Sequence, residues 1–366
     1  MVKINFMGDV MFGELLENFK RGLKTRLDKK NIDPFEHVGL VLKKADLNVI
    51  NLESVFSESS IRNEPFSEIL ISREKYVKHL VNNNINVVNT ANNHSLDHGR
   101  EAFERSIDIL KANKIRVIGY DKNKYFQDEP VIVNLHGRKI GLLGYNIANF
   151  PDNEIKKIID NIKNVISNIS SFLDTIVISM HWGEEYTNIP PPCIVGYGRE
   201  LLKAGCDILY GHHSHYIQGV IKDHNRIFAP SLGNFIFDQK GKANRITTIL
   251  QTKINNGDLS YEYLAYCMNK NFQPVKAPEF EKYVDKISAY LHECYDVANQ
   301  NKYKDIVEKK VRVGHRNNRI LMRLKMLIHF WDYLPYTKRI LSFKSSNEKL
   351  FSVINDERSL KSRSKR

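Results

Sequence analysis

Along the first two thirds of the chain, short continuous apolar runs alternate with longer stretches in which apolar residues recur every three or four positions. The runs Val2–Met7, Asp46–Asn51, Ile85–Thr90, Arg116–Gly119, Lys139–Tyr145, Thr175–Met180, Asp207–Tyr210 and Ile227–Ala229 read as strands covered on both faces, because a strand with one wet face would alternate apolar with polar. Between them, Phe35–Lys44, Arg73–Asn83, Arg100–Ala112, Ile155–Phe172 and Val195–Ala204 carry the helical period, and Gly205 is placed to stop the last of these. Strand and helix alternating over about 200 residues predict a layered α/β fold with a parallel centre. Antiparallel pieces flank that centre. Val131–Leu135 with Lys139–Tyr145 predicts one hairpin. Ile246–Ile254 with Leu259–Tyr266 predicts a stronger one, since the Asn255-Asn256-Gly257-Asp258 turn supplies residues that tolerate positive φ.

After Pro274 and Pro278 the pattern turns helical. Glu279–Gln300 is one helix, and Val311–Tyr333 a second, with Ile320, Leu321, Leu324, Leu327 and Ile328 on one stripe among Arg316, Arg319, Arg323 and Lys325. Asp356–Arg366 is rich in Ser, Lys and Arg and reads as disordered. The expected organisation is a globular domain over 1–270, a helical basic extension over 271–355 and a disordered basic tail over 356–366.

Charge follows the same division. The formal net charge is +13, yet 18 Lys and Arg against 6 Asp and Glu fall within Asn301–Arg366, so the first 300 residues are close to neutral. A basic amphipathic helix with Trp331 and Tyr333 near its end suits an anionic lipid surface or an acidic polymer. The plainer alternative is a helix docked on the main domain with a solvated basic face. No nucleic-acid-reading module accompanies the charge, so nucleic acid is not an expected partner. Cys193, Cys206, Cys267 and Cys294 include no C-x-x-C pair and read as free thiols rather than a disulfide framework or zinc knuckle. Met1–Phe6 reads as the first strand, not a signal peptide, and no window approaches the roughly 20 apolar residues that span a bilayer. The expectation is a cytoplasmic protein, with residues 301–366 as the part that would touch the inner face of the membrane unless that helix is docked.

Metal-binding side chains gather where the apolar runs end. A parallel sheet presents functional side chains at the carboxyl ends of its strands. At those ends stand Gly8-Asp9, Asn51-Leu52-Glu53, Asn92-Asn93-His94 with Asp97, His181-Trp182-Gly183, Gly211-His212-His213-Ser214-His215 and Gly233-Asn234. Imidazoles mixed with carboxylates suit Zn, Mn, Fe or Ni over the all-oxygen shells of Ca and Mg. Taken singly, several have plainer explanations. Asp9 after a glycine fits a turn or helix cap equally well, Glu53 fits an acid at a helix start, and a lone His181 in a buried strand is more often a hydrogen-bonded core residue. Ala91–Gly99 is more specific, because a turn explains its Asn and Gly but not His94 and Asp97. There His94 is able to give a proton to a leaving oxygen, with Asp97 orienting it.

Three imidazoles in four residues, His212, His213 and His215, are the sharpest signal. In an extended segment, residues two apart point the same way, so His213 and His215 are expected to share a site while His212 faces elsewhere. Glu184 and Glu185 fit a base, an outer partner or solvated loop charges. Ser231–Asp238 either positions a ligand or is a structural turn. No Walker loop, Gly-x-Ser-x-Gly or Gly-x-Gly-x-x-Gly occurs, which disfavours P-loop and serine-hydrolase chemistry.

In this order, and with Gln218 and Ser231–Asp238, the fragments resemble the CapA capsule-synthesis family over residues 2–250. The resemblance implies a part in capsule or poly-γ-glutamate biosynthesis and a metallophosphoesterase-like α/β fold: a four-layer α-β-β-α sandwich, here with a helical C-terminal extension. On the phosphoesterase pattern, Asp9, Glu53, Asn93, His181, His213 and His215 would ligate one or two divalent ions (Mn, Zn or Fe). His94 with Asp97 would form the catalytic proton donor. Asn92, Glu184, Glu185, His212 and Asn234 would meet the substrate, an anionic polymer or its precursor, and other capsule-synthesis proteins would be partners. Two positions depart from that pattern. The phosphoesterase Asp-x-His is Asp9-Val10-Met11 here, and Glu53 stands where an Asp usually bridges two metals. A thioether is a poor ligand for a hard ion, so one metal position is expected to be weak. Two functions fit: a metal-dependent hydrolase cleaving a phosphoester or amide, or a non-catalytic assembly or polymer-binding factor with a degenerate metal site.

Overall fold

The structure, a computed structural model, describes residues 1–30, 32–63, 66–121, 127–239, 241–295 and 300–336. Two sheets carry it. The first runs in the order Pro274–Lys276, Asp258–Met268, Ile246–Asn255, Val2–Val10, Leu47–Leu52, Val87–Asn89 and Arg116–Ile118, with Asn234–Ile236 paired to Val2–Val10 as well. The second runs Ile221–Asp223, Arg226–Ala229, Ile208–His212, Thr175–His181, Arg138–Asn146 and Val131–Leu135. Each has a parallel centre with antiparallel strands outside it. Both expected hairpins form, and the turn of the longer one places Asn256 and Gly257 at positive φ.

Three cores explain the continuous apolar runs. Ile4, Phe6, Val49 and Val87 from the first sheet meet Ile140, Leu142, Val177, Ile208 and Tyr210 from the second. Residues between them in the strands go outward instead. Met7, Ile50 and Val88 pack under Phe35, Leu42, Tyr76, Leu80, Ile107 and Leu110. Leu143, Ile176, Ile178 and Leu209 pack under Ile159, Ile162, Ile166, Val195 and Leu202. Alternate residues of one strand thus enter different cores, and both need to be apolar. The resulting layers are helix, sheet, sheet, helix, the order implied by the resemblance.

Helices Arg100–Ala112, Asp152–Ile169 and Pro192–Ala204 lie where the period places them, the last ending on Gly205 at φ +119°. Phe35–Lys44 is helical only over Gly39–Lys43. Asp33 accepts the Phe35 N–H at 3.0 Å and both Asn83 Nδ2 contacts, so a side chain takes over backbone bonding and holds a turn. Arg73–Asn83 divides into a 3₁₀ turn, Glu74–Tyr76, and a helix, Val77–Asn82.

Helix Glu281–Tyr295 buries Val284, Ile287 and Leu291. The Val311–Tyr333 pattern falls within a longer helix, Gln300–Ile328, followed by the short Phe330–Tyr333. By compactness the chain divides into Met1–Ile320 and a second unit beginning at Leu321. Residues 337–366, including the expected tail at 356–366, lie outside the described residues. Among the described residues no helix is long and apolar enough to cross a membrane. All four cysteines are free.

Candidate metal centre

Strand Val2–Val10 shifts register against its parallel neighbour Leu47–Leu52 between Phe6 and Asp9. The shift is built on Gly8, where a Cβ would stand 1.8 Å from Gly233 O. Without that atom the backbones close, and Asp9 N donates to Gly233 O at 2.9 Å. Asp9 is wholly buried and receives Asn51 Nδ2 at 2.9 Å. Glu53 lies one residue past the end of its strand, its N donating to Val10 O at 2.8 Å. From the second sheet, His181 and His212 end neighbouring strands in register.

The histidine segment is not extended. His213 has φ +85° and His215 +58°, and Tyr186, whose N donates to Ser214 O at 2.8 Å, has +61°. Non-glycine residues held in the left-handed region cost about 1–3 kcal/mol each and gather at functional sites. These turns change which face each ring presents. His212, expected to face elsewhere, brings Nδ1 to 2.9 Å from Asp9 Oδ1. The His213 ring lies 4.8 Å from that of His181. His215 sits between the carboxylates, Nδ1 3.5 Å from Asp9 Oδ2 and Nε2 3.8 Å from Glu53 Oε1. Asn234 Oδ1 lies 2.9 Å from His215 Nδ1, and Asn234 Nδ2 donates to Gln239 Oε1 at 2.8 Å.

One donor atom from each of Asp9, Glu53 and His181 falls within 4.8 Å of the others. Around them Asp9 Oδ2, both Glu53 oxygens, His181 Nδ1 and His213 Nδ1 are buried with no hydrogen-bond partner. Each such atom costs about 1–3 kcal/mol, more when charged. Five in one place are unusual for a folded protein unless a further group takes their lone pairs. Two carboxylates beside imidazoles form the donor set of Mn, Zn or Fe, so these residues fit a divalent cation.

The electrostatics run the same way. Burial, aided by the Asp9 charge, raises the Glu53 pKa. Burial also opposes the Asp9 charge, but His212 and His215 outweigh it and hold Asp9 well below the usual carboxylate range. Burial disfavours the His215 imidazolium, yet Glu53 and Asp9 raise its pKa. Burial brings His213 down to about 4, and burial with the His213 charge depresses His181. Both are therefore neutral imidazoles at pH 7, the form that binds metal.

His94 stands on the solvent side of this cluster, its side chain 26% exposed. Its Nδ1 lies 2.9 Å from Asp97 Oδ2, and Asp97 Oδ1 is 3.0 Å from Arg62 Nη2. Its Nε2 lies 3.8 Å from Glu53 Oε1. Burial works against the His94 imidazolium, but the Asp97 hydrogen bond and charge prevail and raise its pKa. Asn93 Oδ1 lies 2.7 Å from His181 Nε2. Asn92 braces the loop, donating Nδ2 to Leu52 O at 2.8 Å and accepting His94 N at 3.1 Å. Glu185 comes within 4.0 Å of His215 Nε2, whereas Glu184 is exposed. Met11 is buried and its N donates to Ile236 O at 2.8 Å.

The structure therefore gathers Asp9, Glu53, Asn93, His94, Asp97, His181, His212, His213, His215 and Asn234 at one seam between the sheets. It adds Asn89 and Arg62, which the pattern did not single out, and gives Asn51, from the fragment Asn51-Leu52-Glu53, a bracing part. Asn51 and Asn89 are buried amides linked at 3.0 Å, Asn89 donating, and the signal for them is an amide inside an otherwise apolar strand. Tyr186 stacks on His215 with ring centroids 5.7 Å apart. Arg62 lies in an irregular loop, and nothing local in the sequence marks it.

A family model described as "Bacterial capsule synthesis protein PGA_cap" matches residues 3–239. The capsule biosynthesis protein CapA of Bacillus anthracis is 28% identical over 270 residues, which cover 68% of this chain and 62% of that protein. The PGA biosynthesis protein CapA of Bacillus subtilis (strain 168) is 26% identical over 278 residues, 72% of this chain and 70% of its own length. Among solved structures, a putative 5'-nucleotidase from Staphylococcus aureus in complex with alpha-ketoglutarate aligns with TM-score 0.45 and 14% identity, covering 80% of this chain and 58% of that one. A hypothetical protein from Thermus thermophilus aligns with TM-score 0.44 and 11% identity, covering 73% and 99%.

Proposed function

Because the chain belongs to the bacterial capsule synthesis family PGA_cap, we propose that it acts in making an anionic exopolymer of the poly-γ-glutamate type, through a metal-dependent hydrolase site at the seam of its sheets. The observation that carries this is the set of buried, unpartnered donor atoms on Asp9, Glu53, His181 and His213. Together with Asn93 and His215 these residues would hold one or two divalent ions, Mn, Zn or Fe. A divalent cation supplies Lewis acidity, polarising a scissile phosphoester or amide and acidifying water to a pKa of about 7. The chain's own residues do the rest. Asp97, anchored by Arg62, fixes His94 through Nδ1, and Nε2, which lies 3.2 Å from Asn93 Nδ2, would turn from that amide to protonate the departing oxygen or nitrogen. Tyr186 covers one face of His215 and keeps water from the Asp9–His215 contact. Glu184 and Glu185 stand on the open side, where the polymer or its precursor would enter.

A His94→Ala variant tests this. Turnover of a panel of phosphoesters and γ-glutamyl amides should cease while calorimetry still detects metal; loss of metal with His94 would make it a ligand. His181→Ala should lose both. The buried thioether of Met11 favours a second function, a non-catalytic assembly or polymer-binding factor with a reduced site. At most one metal equivalent and an untouched substrate panel would select it. Cytoplasmic residence goes with either function and is checked by cell fractionation.

A further inference from the structure

A second opening lies beside the metal centre on the same edge of the fold. The metal-binding residues come from the carboxyl ends of Val2–Val10 and Leu47–Leu52 in the first sheet, and of Thr175–His181 and Ile208–His212 in the second. The next strands outward are Val87–Asn89 and Arg116–Ile118 on one side and Arg138–Asn146 on the other. At their carboxyl ends is a cavity of about 140 Å³, a space that takes a six-membered ring inside a protein. Strands stand about 4.8 Å apart, so the cavity begins about 5–10 Å along the seam from the metal donors.

Its floor is closed and its walls are mixed. Gln127 Oε1 accepts Gly119 N at 2.7 Å and Gly144 N at 3.1 Å, joining the two sheets and taking up both floor amides. Phe103 and Tyr120, both half-buried, stand edge to face at 5.6 Å as an aromatic wall. Asn146 Oδ1 accepts Ala148 N at 3.0 Å, and its Nδ2 makes no hydrogen bond among the described residues. Asn146 pairs with His181 in register, and Asn92, another wall residue, accepts His94 N at 3.1 Å, so the cavity shares walls with the metal centre. Arg100 stands at the mouth, its side chain 67% exposed and its Nε on Glu104 Oε1 at 2.9 Å. An ion pair this exposed is weak and exchanges readily for another carboxylate.

We propose that this cavity is a substrate subsite for a carboxylate on a short methylene stem, an acidic residue of the polymer next to the bond held at the metal centre. Arg100 gives the carboxylate a charge-assisted donor and Asn146 Nδ2 a neutral one, while Phe103 and Tyr120 cover the methylenes. An uncharged ring would leave Arg100 and the Asn146 amide without a use. A phosphate ion has no methylenes to set against the aromatic wall. The subsite rests on the anionic-polymer function proposed above and adds where the acidic unit sits.

Titration calorimetry of the full-length protein in EDTA with a γ-linked glutamate tetramer keeps metal ligation out of the signal. The tetramer should bind, and Arg100→Ala should weaken it more than about tenfold, with Arg100→Lys restoring part of the loss. Tyr120→Ser should weaken it as well. Glu104→Gln, which removes the competing carboxylate, should tighten it by up to about fivefold, a gain that a merely structural role would not give. Circular dichroism checks that these variants of surface side chains keep the native fold. In metal-loaded protein, Arg100→Ala should lower kcat/KM for the tetramer and leave turnover of p-nitrophenyl phosphate as it was. Arg100-dependent binding with no turnover of either substrate would end the hydrolase function and keep the subsite. No binding in EDTA, binding that Arg100→Ala and Tyr120→Ser leave unchanged, or equal competition by inorganic phosphate would overturn the subsite.

Discussion

Replacing Glu53 by glutamine should change stability in opposite directions with and without metal. The side chain is 0% exposed and both oxygens lack a partner, with an Asp9 oxygen within 4.8 Å of one of them. In metal-free protein, keeping this carboxyl buried costs about 1–3 kcal/mol as an unsatisfied group. Its raised folded pKa sets the sign with pH: the folded state holds a proton that the unfolded chain releases, so stability is lost as pH rises above the ordinary Glu value. Glutamine carries no charge, so it removes the repulsion between two buried carboxylates whose oxygens lie within 4.8 Å of each other. In EDTA at pH 7, Glu53→Gln should therefore be as stable as the native chain or up to about 3 kcal/mol more stable, with the difference shrinking toward pH 5. Metal reverses this. At a hundredfold excess over the dissociation constant, a ligand of the folded state adds about 2.7 kcal/mol, and Glu53→Gln should forfeit most of that gain. Urea unfolding of both proteins, in EDTA and in saturating Mn or Zn, gives the four free energies needed. Destabilisation beyond about 1 kcal/mol in EDTA, or an equal metal-induced gain in both proteins, would refute Glu53 as a ligand poised for a cation.

Four further substitutions probe the frame around the site. Gly8→Ala places a methyl 1.8 Å from a backbone carbonyl that has little room to yield, and should cost more than about 3 kcal/mol in urea unfolding. Gly196→Ala, with nothing within 4 Å in helix Pro192–Ala204, should instead raise stability by up to about 1 kcal/mol. Trp182→Phe removes the Nε1 bond to Pro230 O at 2.9 Å inside the core, for an expected loss of about 1–3 kcal/mol in the same assay. Burial, with the Glu17 charge adding to it, pushes Asp238 up to about 8, so its contribution to stability falls as pH rises from the ordinary Asp range toward 8. Asp238→Asn should flatten that slope between pH 5 and 8; a slope equal to that of the native chain would count against a protonated Asp238.

The layers were legible because each central strand feeds two cores: Val49 and Ile50, or Val177 and Ile178, point opposite ways and both meet apolar neighbours. Asp9, His94, His181 and the histidine cluster were legible because a polar residue at the end of an apolar run is a local feature. What stayed hidden is set by contacts distant in sequence. Asp33 overrides the helical period of Phe35–Lys44 with a bond from its own side chain. The period-two rule placed His213 and His215 on one face and turned His212 away, but both His213 and His215 take positive φ. No local code writes that conformation for histidine. It is held by Tyr186 N on Ser214 O, and by Asn234 against His215.

That strained segment also bears on the departure at Met11. A thioether leaves Asp9 without an imidazole neighbour two residues along its own strand. The His213 turn follows directly on His212, whose Nδ1 meets Asp9 Oδ1 at 2.9 Å, while Asn51 reaches the same oxygen at 2.9 Å from the neighbouring strand. Asp9 thus joins the two sheets at their carboxyl edges, with Oδ1 met by His212 and Asn51, and with Oδ2 lacking a hydrogen-bond partner and 3.5 Å from His215 Nδ1. An aspartate arranged in this way has lone pairs free on one side only, which favours a single well-held cation over two equal ones. Titration calorimetry should then resolve one tight equivalent, with any second equivalent far weaker. Two equal equivalents would mean that His212 releases Asp9 Oδ1 on binding.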